Sequence, residues 1–81
     1  MDVRYFQEFY MVEIVELDDM NRCLKSLEAF YSENQSDCES LYTRYCRKNI
    51  PARLKKVYAE VDIDGAIIDV VRVIEEIANS Y

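Results

Sequence analysis

Residues 67–79 have the sequence Ile-Ile-Asp-Val-Val-Arg-Val-Ile-Glu-Glu-Ile-Ala-Asn, which is the strongest secondary-structure pattern in the chain. Its polar residues recur at helical spacing, opposite one broad apolar side. The apolar side comprises Ile67, Val70, Val71, Ile74, Ile77 and Ala78. β-branched side chains disfavour a helix slightly, but two apolar residues followed by one polar residue do not match a strand that alternates every second residue. The stretch therefore predicts a helix.

Upstream, the chain contains start signals for three more helices. Asp18 and Asp19 precede an apolar stripe from Met20 to Tyr31, and short carboxylates favour a helix N-terminus. Ser36 and Glu39 have the spacing of a capping box. The third signal is Pro51, placed to open a helix that carries Leu54, Val57, Tyr58 and Val61.

The segment before Asp18 has two interpretations. Val3, Phe6, Tyr10, Ile14 and Leu17 recur at intervals of three and four, which indicates one face of a helix. The aromatic and β-branched content of residues 9–15 also suits a short strand. Both alternatives stay open for residues 1–17.

The composition favours helices for the chain as a whole. The 81 residues include one Gly and one Pro, so few positions suit the tight turns of an all-β fold. We find no internal repeat, linker or low-complexity tract. We predict an all-α fold, a compact bundle of four or five short helices forming a single domain over residues 1–81.

Several function classes are disfavoured by the same composition. The chain has no His, which removes the commonest general base and the usual zinc ligand, so we predict that it is not an enzyme and has no metal or cofactor. Cys23, Cys38 and Cys46 form no Cys-x-x-Cys pair and are expected to be buried or incidental thiols. Residues 60–65 resemble the start of a calcium loop, but Val71 occupies the position of its bidentate glutamate. No apolar run is long enough to span a membrane and no signal peptide is evident, so a cytoplasmic location is expected.

Charge is divided unevenly along the chain. Residues 1–41 carry 3 basic and 10 acidic side chains, residues 42–58 carry 6 and 0, and residues 59–81 carry 1 and 6, within a formal net charge of -6. The basic middle is interleaved with tyrosines, a mixture that also occurs on nucleic-acid-binding surfaces. We disfavour nucleic acid as a partner because acidic flanks would neutralise this segment within the molecule.

Clustered carboxylates instead suit a basic protein partner, which they would attract at enhanced rates. The first candidate patch surrounds Asp18 and Asp19, together with Glu13 and Glu16. The second comprises Glu60, Asp62, Asp64 and Asp69. The alternative is that these side chains only cap helices and complement helix dipoles.

Residues 59–65, Ala-Glu-Val-Asp-Ile-Asp-Gly, lead into Ile68-Asp69-Val70 and Ile74-Glu75, while Cys38 to Tyr42 and Ile50-Pro51 lie upstream at comparable distances. This half of the chain resembles the small immunity proteins that neutralise colicin D and related tRNA-cleaving bacterial toxins. The resemblance implies a helical inhibitor that covers the toxin's positively charged RNA-binding cleft. It also implies that the acidic residues Glu60, Asp62, Asp64 and Asp69 contact the toxin and that Ile68, Val70 and Ile74 are core.

We therefore predict a small acidic protein that occludes a basic surface of a partner protein, most specifically an immunity-type inhibitor of a toxin nuclease. Two alternatives stay open. One is a self-associating helical structural or adaptor module, such as a homodimer, whose wide apolar faces are buried between copies. The other is a nucleic-acid binder that uses the basic middle.

Overall fold

The computed structural model describes residues 3–81, which form one helix and a four-stranded antiparallel sheet. The strands are β1 (Tyr5–Leu17), β2 (Cys23–Ser32), β3 (Ala52–Val61) and β4 (Ile67–Asn79), and the helix is α1 (Gln35–Arg47). The strand order is β2-β1-β3-β4. The predicted all-α bundle is therefore wrong. Within residues 3–81 the structure contains one helix, and the other segments that we predicted to be helical are strands.

β4 is the stretch whose spacing predicted a helix, and its pairing with β3 explains the error. The register between these strands shifts four times, and each shift leaves one β4 residue without a partner in β3. The four skipped residues are Ile68, Val71, Ile74 and Ile77. Three residues of β4 thus span two residues of β3, so repeated bulges accommodate a three-residue spacing that a regular strand cannot. The β-branched side chains that disfavour a helix suit this strand.

The sequence of β3 has helical spacing for a different reason. Its buried residues lie on one face of the sheet at the start of the strand and on the other face further along. Leu54 is buried against the helix, whereas Val57, Ala59 and Val61 are buried on the opposite side of the sheet. The change of side leaves Leu54 and Val57 three residues apart, which is the spacing of a helical face. Pro51 precedes this strand and opens no helix.

The two remaining apolar segments are also strands. The alternatives for residues 1–17 are resolved in favour of β1, which is central and pairs with both β2 and β3; residues 1–2 lie outside the described range. β2 replaces the helix predicted after Asp19. Leu24 and Leu27, which supplied the apolar stripe of that helix, are exposed and are the residues that the ladder with β1 skips.

The helix predicted from Ser36 and Glu39 is confirmed as α1, although its N-cap lies two residues before Ser36. Asn34 is the N-cap residue, and its Oδ1 accepts a hydrogen bond of 3.3 Å from the backbone N–H of Ser36. The helix ends at Arg47 with Lys48 as its C-cap, and Asn49 follows with a φ of 57°, a conformation that asparagine tolerates.

The helix divides the sheet into two faces. On the helix face, Cys38 of α1 packs with Val12 and Leu54. The other face, which we call the open face, holds a second cluster that includes Phe9 and Val57 and that no helix covers. Bulges increase strand twist, so the outer strands curl over this face and bury its centre. This curl brings Tyr81, after β4, into hydrogen-bonding contact with Cys23 of β2.

Candidate protein-binding site

The turn between β3 and β4 is built by one carboxylate and one glycine. Asp62 Oδ1 accepts hydrogen bonds of 2.9 Å from the backbone N–H groups of both Asp64 and Ala66. The N–H of Gly65 donates to the Asp62 carbonyl at 3.0 Å, and Gly65 has a φ of 85°. Since glycine adopts this left-handed conformation without steric cost, the sequence Asp62-Ile63-Asp64-Gly65 forms a defined turn and not the start of a helix.

This turn collects the four carboxylates of the second predicted patch at one end of the sheet. Glu60 and Asp69 lie directly opposite each other on β3 and β4, and Asp62 and Asp64 belong to the turn beyond them. We call these four residues the acidic end. Like charges directly opposite across two strands repel each other, and none of the four makes an ion pair within residues 3–81. A basic partner would relieve this repulsion.

Apolar side chains surround these carboxylates. Ile63, at the tip of the turn, is 84% exposed, and Ile68 at the start of β4 is 59% exposed. Tyr5 and Phe6 of β1 are exposed beside them, and Phe6 stacks on Tyr58 with ring centroids 5.5 Å apart. The resemblance-based assignment of Ile68 and Ile74 to the core is therefore wrong, since both are exposed; of that set Val70 alone packs against buried residues.

The first predicted patch lies at the other end of the elongated molecule and does not join the acidic end. Asp18 begins the β1–β2 turn, where its Oδ1 accepts from the N–H groups of Met20 at 2.9 Å and Arg22 at 2.8 Å. Its Oδ2 pairs with Arg22 Nε at 2.9 Å. The backbone hydrogen bond from Arg22 is the main reason that the pKa of Asp18 is lowered. Asp18 is thus occupied within its own turn, and Asp19 beside it is exposed.

The two turns share one design. Each begins with an aspartate that accepts two backbone hydrogen bonds and places a residue in the left-handed region three positions later: Asn21, with a φ of 60°, in the first turn, and Gly65 in the second. The alternative that these carboxylates cap helices is wrong for Asp18 and Asp62, because a strand follows each turn; one oxygen of each instead accepts backbone hydrogen bonds within its own turn.

Sequence reasoning missed the burial of Glu13, which it placed in the exposed patch near Asp18. Glu13 lies on the open face with its side chain 10% exposed, and its Oε1 is 3.0 Å from Lys55 Nζ and 3.1 Å from an Arg53 guanidinium nitrogen. Burial alone raises the pKa of Glu13, but the hydrogen bonds from Lys55 and Ser26 and the charges of both bases outweigh it, so the pKa is lowered. The available signal was the alternation of Phe9, Met11, Glu13 and Val15, which places one charge on an apolar strand face.

This buried cluster also divides the basic middle. Arg53 and Lys55 form ion pairs with Glu13, and Lys56 forms an ion pair with Glu8 at 3.5 Å. Tyr42 and Tyr45 pack against the helix-face core, so they are not a free stacking platform. Arg44, Arg47 and Lys48 are exposed at the end of α1. The segment is therefore not one continuous basic surface.

No family model, curated protein or solved structure matches the chain. Within residues 3–81 no group of three or more acidic, cysteine or histidine side chains could hold a metal ion, and the three cysteines are free. α1, the one helix in that range, is too short to cross a membrane.

Proposed function

We propose that this chain is a small non-enzymatic protein that binds a basic surface of a partner protein through its acidic end. The observation that carries the proposal is the direct pairing of Glu60 with Asp69 beside two further turn carboxylates, none of them neutralised by a cation of the described chain. Cations of a partner would pair with these groups and lower the repulsion between them.

The exposed apolar side chains strengthen the proposal. Protein interfaces combine a few desolvated apolar anchors with a polar rim. Ile63 and Ile68 supply anchors between carboxylates, and the hydrogen-bonded turn holds the tip in one conformation before binding, which lowers the entropy lost on association.

The most specific partner is a nuclease whose RNA-binding cleft is basic, which the resemblance to colicin D immunity proteins implies. The mechanism is occlusion, with carboxylates of the acidic end occupying positions that RNA phosphates would take. Because the carboxylates lie on a β-hairpin, the insertion of a hairpin end into the cleft replaces the docking of a helical bundle. Such an inhibitor acts in the cytoplasm, where tRNA is cleaved.

A charge-matched pair of variants tests this proposal. In the first, Glu60→Gln, Asp62→Asn, Asp64→Asn and Asp69→Asn are combined; asparagine at position 62 keeps the oxygen that accepts the turn hydrogen bonds. In the control, Glu33→Gln, Glu39→Gln, Glu75→Gln and Glu76→Gln are combined, which removes the same charge from exposed sites elsewhere. The assay measures cleavage of tRNA by a colicin D-type nuclease domain and binding to that domain at low and moderate salt.

We expect the wild type and the control to bind and inhibit the nuclease, with salt weakening both, and the acidic-end variant to lose binding by at least about 100-fold, given the 2–5 kcal/mol cost of truncating desolvated charge pairs. If the control loses binding to the same extent, net charge alone explains the effect, and the assignment of the acidic end as the binding site is overturned. Absence of binding by the wild type would exclude this partner class.

A further inference from the structure

β2 is an outer strand of the sheet and pairs with β1 alone. Every residue from 24 to 30 is exposed, and no proline interrupts the strand. An edge of this kind presents unpaired backbone N–H and C=O groups to which another strand can add. β2 has two bulges, at Leu24 and Leu27, and two charged side chains, Lys25 and Glu28, whereas the other outer strand, β4, is protected by four bulges and by four charged side chains at Asp69, Arg72, Glu75 and Glu76.

β2 exposes three large apolar side chains. Leu24 is 60% exposed and Leu27 is 56% exposed, and Phe30 follows at the same three-residue interval. Beside Phe30, an apolar groove runs between β2 and α1. Its apolar lining consists of Val12, Ile14, Ala29, Phe30, Leu41 and Tyr45. A soluble monomer gains nothing from such side chains in water, so this surface suits a second protein surface.

The charges on β2 are complementary to themselves. Lys25 is opposite Glu16 of β1 and Glu28 is opposite Ile14. Since Glu16 and Ile14 are two residues apart, Lys25 and Glu28 share one face of the sheet. If two β2 strands pair antiparallel about a two-fold axis between Ser26 and Leu27, each Lys25 faces Glu28 of the other copy.

The same register accounts for the apolar residues. It places Leu24 of each copy opposite Ala29 of the other; Ala29 pairs with Glu13, so this contact lies on the open face of the sheet. Leu24, which is 60% exposed in one chain, thus meets an apolar side chain of the other copy. Both matches arise from one two-fold axis, as an isologous interface requires.

The accessible surface of the chain is larger than that of a compact monomer of the same mass. The accessible surface is 5673 Å², whereas a compact monomer of 9.6 kDa exposes about 5,100 Å². The excess, about 600 Å², approaches the roughly 800 Å² that each partner buries in a standard interface. The elongated body, 48 × 25 × 18 Å, distributes this excess along the strands.

We propose that two copies of this chain form a symmetric dimer by antiparallel pairing of their β2 strands, giving one continuous eight-stranded sheet. The occupant of the β2 edge is a second copy because charge, apolar contact and symmetry are satisfied by the same register. The interface uses none of the acidic-end residues, so both acidic ends stay free in the dimer and the inference is independent of the proposed function.

Charge exchange tests the register. Sedimentation equilibrium of the purified full chain gives the dimer dissociation constant for the wild type, Lys25→Glu, Glu28→Lys and the double variant. Each single reversal places like charges opposite each other twice across the axis, and we expect it to weaken the dimer by about tenfold or more. The double variant restores both pairs with exchanged signs and should return to within about threefold of the wild type.

Three control variants separate the loss of the Lys25–Glu28 pair from other effects on dimerisation. Lys48→Glu and Glu39→Lys change the net charge by the same amounts at exposed positions on and beside α1, and we expect them to leave dimerisation unchanged. Glu16→Gln removes the 3.5 Å contact of Lys25 within the chain and should also leave the dimer intact.

A second measurement does not depend on any variant. Amide hydrogen exchange of β2 should slow as the protein concentration rises, while exchange of β4 stays constant. A wild type that is monomeric at all accessible concentrations overturns the proposal. A dimer that is indifferent to both single reversals, or in which β4 and not β2 becomes protected, overturns it equally.

Discussion

Replacement of Glu13 by glutamine tests the most unusual feature of the interior. Glutamine keeps the shape of the side chain but removes the negative charge that Arg53 and Lys55 share. Those two side chains are 19% and 12% exposed, so the variant leaves two cations close together with little access to water. The Arg53 Nε already has no hydrogen-bond partner within residues 3–81.

The expected loss of stability follows from the burial of the Glu13, Arg53 and Lys55 side chains. Removing one partner of a buried ion pair costs about 3–5 kcal/mol, because the remaining charge stays desolvated. Arg53 and Lys55 keep 19% and 12% of their side chains exposed, so water partly hydrates the released cations, and we expect a loss at or just below the lower end of this range, about 2–3 kcal/mol. An 81-residue domain has a free energy of unfolding of about 4–12 kcal/mol, so the loss is a large fraction of the total.

Urea unfolding followed by circular dichroism measures this loss. With a slope of about 1 kcal/mol/M, the unfolding midpoint of Glu13→Gln should fall by about 2 M. Glu8→Gln is the matched control on the same strand, because Glu8 contacts Lys56 at 3.5 Å in an exposed pair worth about 0–1 kcal/mol.

The pH dependence supplies the decisive result. The pKa of Glu13 is lowered in the folded protein, so its contribution to stability is present above the ordinary value of 4.5 and is lost as the pH falls through the folded pKa. The difference between the wild type and Glu13→Gln should therefore shrink in acid. A variant that is no less stable than Glu8→Gln, or a difference that does not change with pH, would refute the role assigned to this cluster.

Two further predictions concern the turn and the helix core. Gly65→Ala should lower the free energy of unfolding in urea by about 1 kcal/mol, because the added methyl group meets nothing within 4 Å and only the φ of 85° opposes it. Asn21→Gly, at the equivalent position of the other turn, should cause no loss of stability. Equal losses in the two variants would contradict this account. Cys38 is fully buried and its burial raises the pKa of the thiol, so an aromatic disulfide reagent should titrate Cys23 and Cys46 in the native protein and Cys38 only on unfolding; three thiols reacting at one rate would contradict the packing of α1.

The fold was mispredicted because two different structures share one sequence spacing. Ile68, Val71 and Ile74 recur every third residue, and that spacing suits both a helix and a strand with a bulge at every repeat. Bulges form only when a neighbouring strand is present to shift against, so the pattern of β4 alone does not contain the information. The same holds for Leu54 and Val57, whose spacing depends on which side of β3 the helix covers.

The acidic end was partly predictable. The sequence grouped Asp62 and Asp64 with Glu60 and Asp69 in one acidic patch, because the four residues are close together in the chain. It did not show that Glu60 faces Asp69, since that contact depends on the register of two strands. Nor did it show that the patch at Asp18 and Asp19 lies at the opposite end of the sheet, because distance along the chain does not indicate which end of a sheet a turn occupies.

The sequence by itself determined the local features of this protein: the helix α1, the two aspartate-led turns and the uneven distribution of charge. These depend on residues within a few positions of one another, and hydrogen bonds such as those of Asp62 form within five residues. Only the tertiary structure decided that the apolar segments are strands, that Glu13 is buried with Arg53 and Lys55, and that β2 is left as an open edge. Those features arise from contacts between residues distant in sequence, where burial and backbone pairing override local preference.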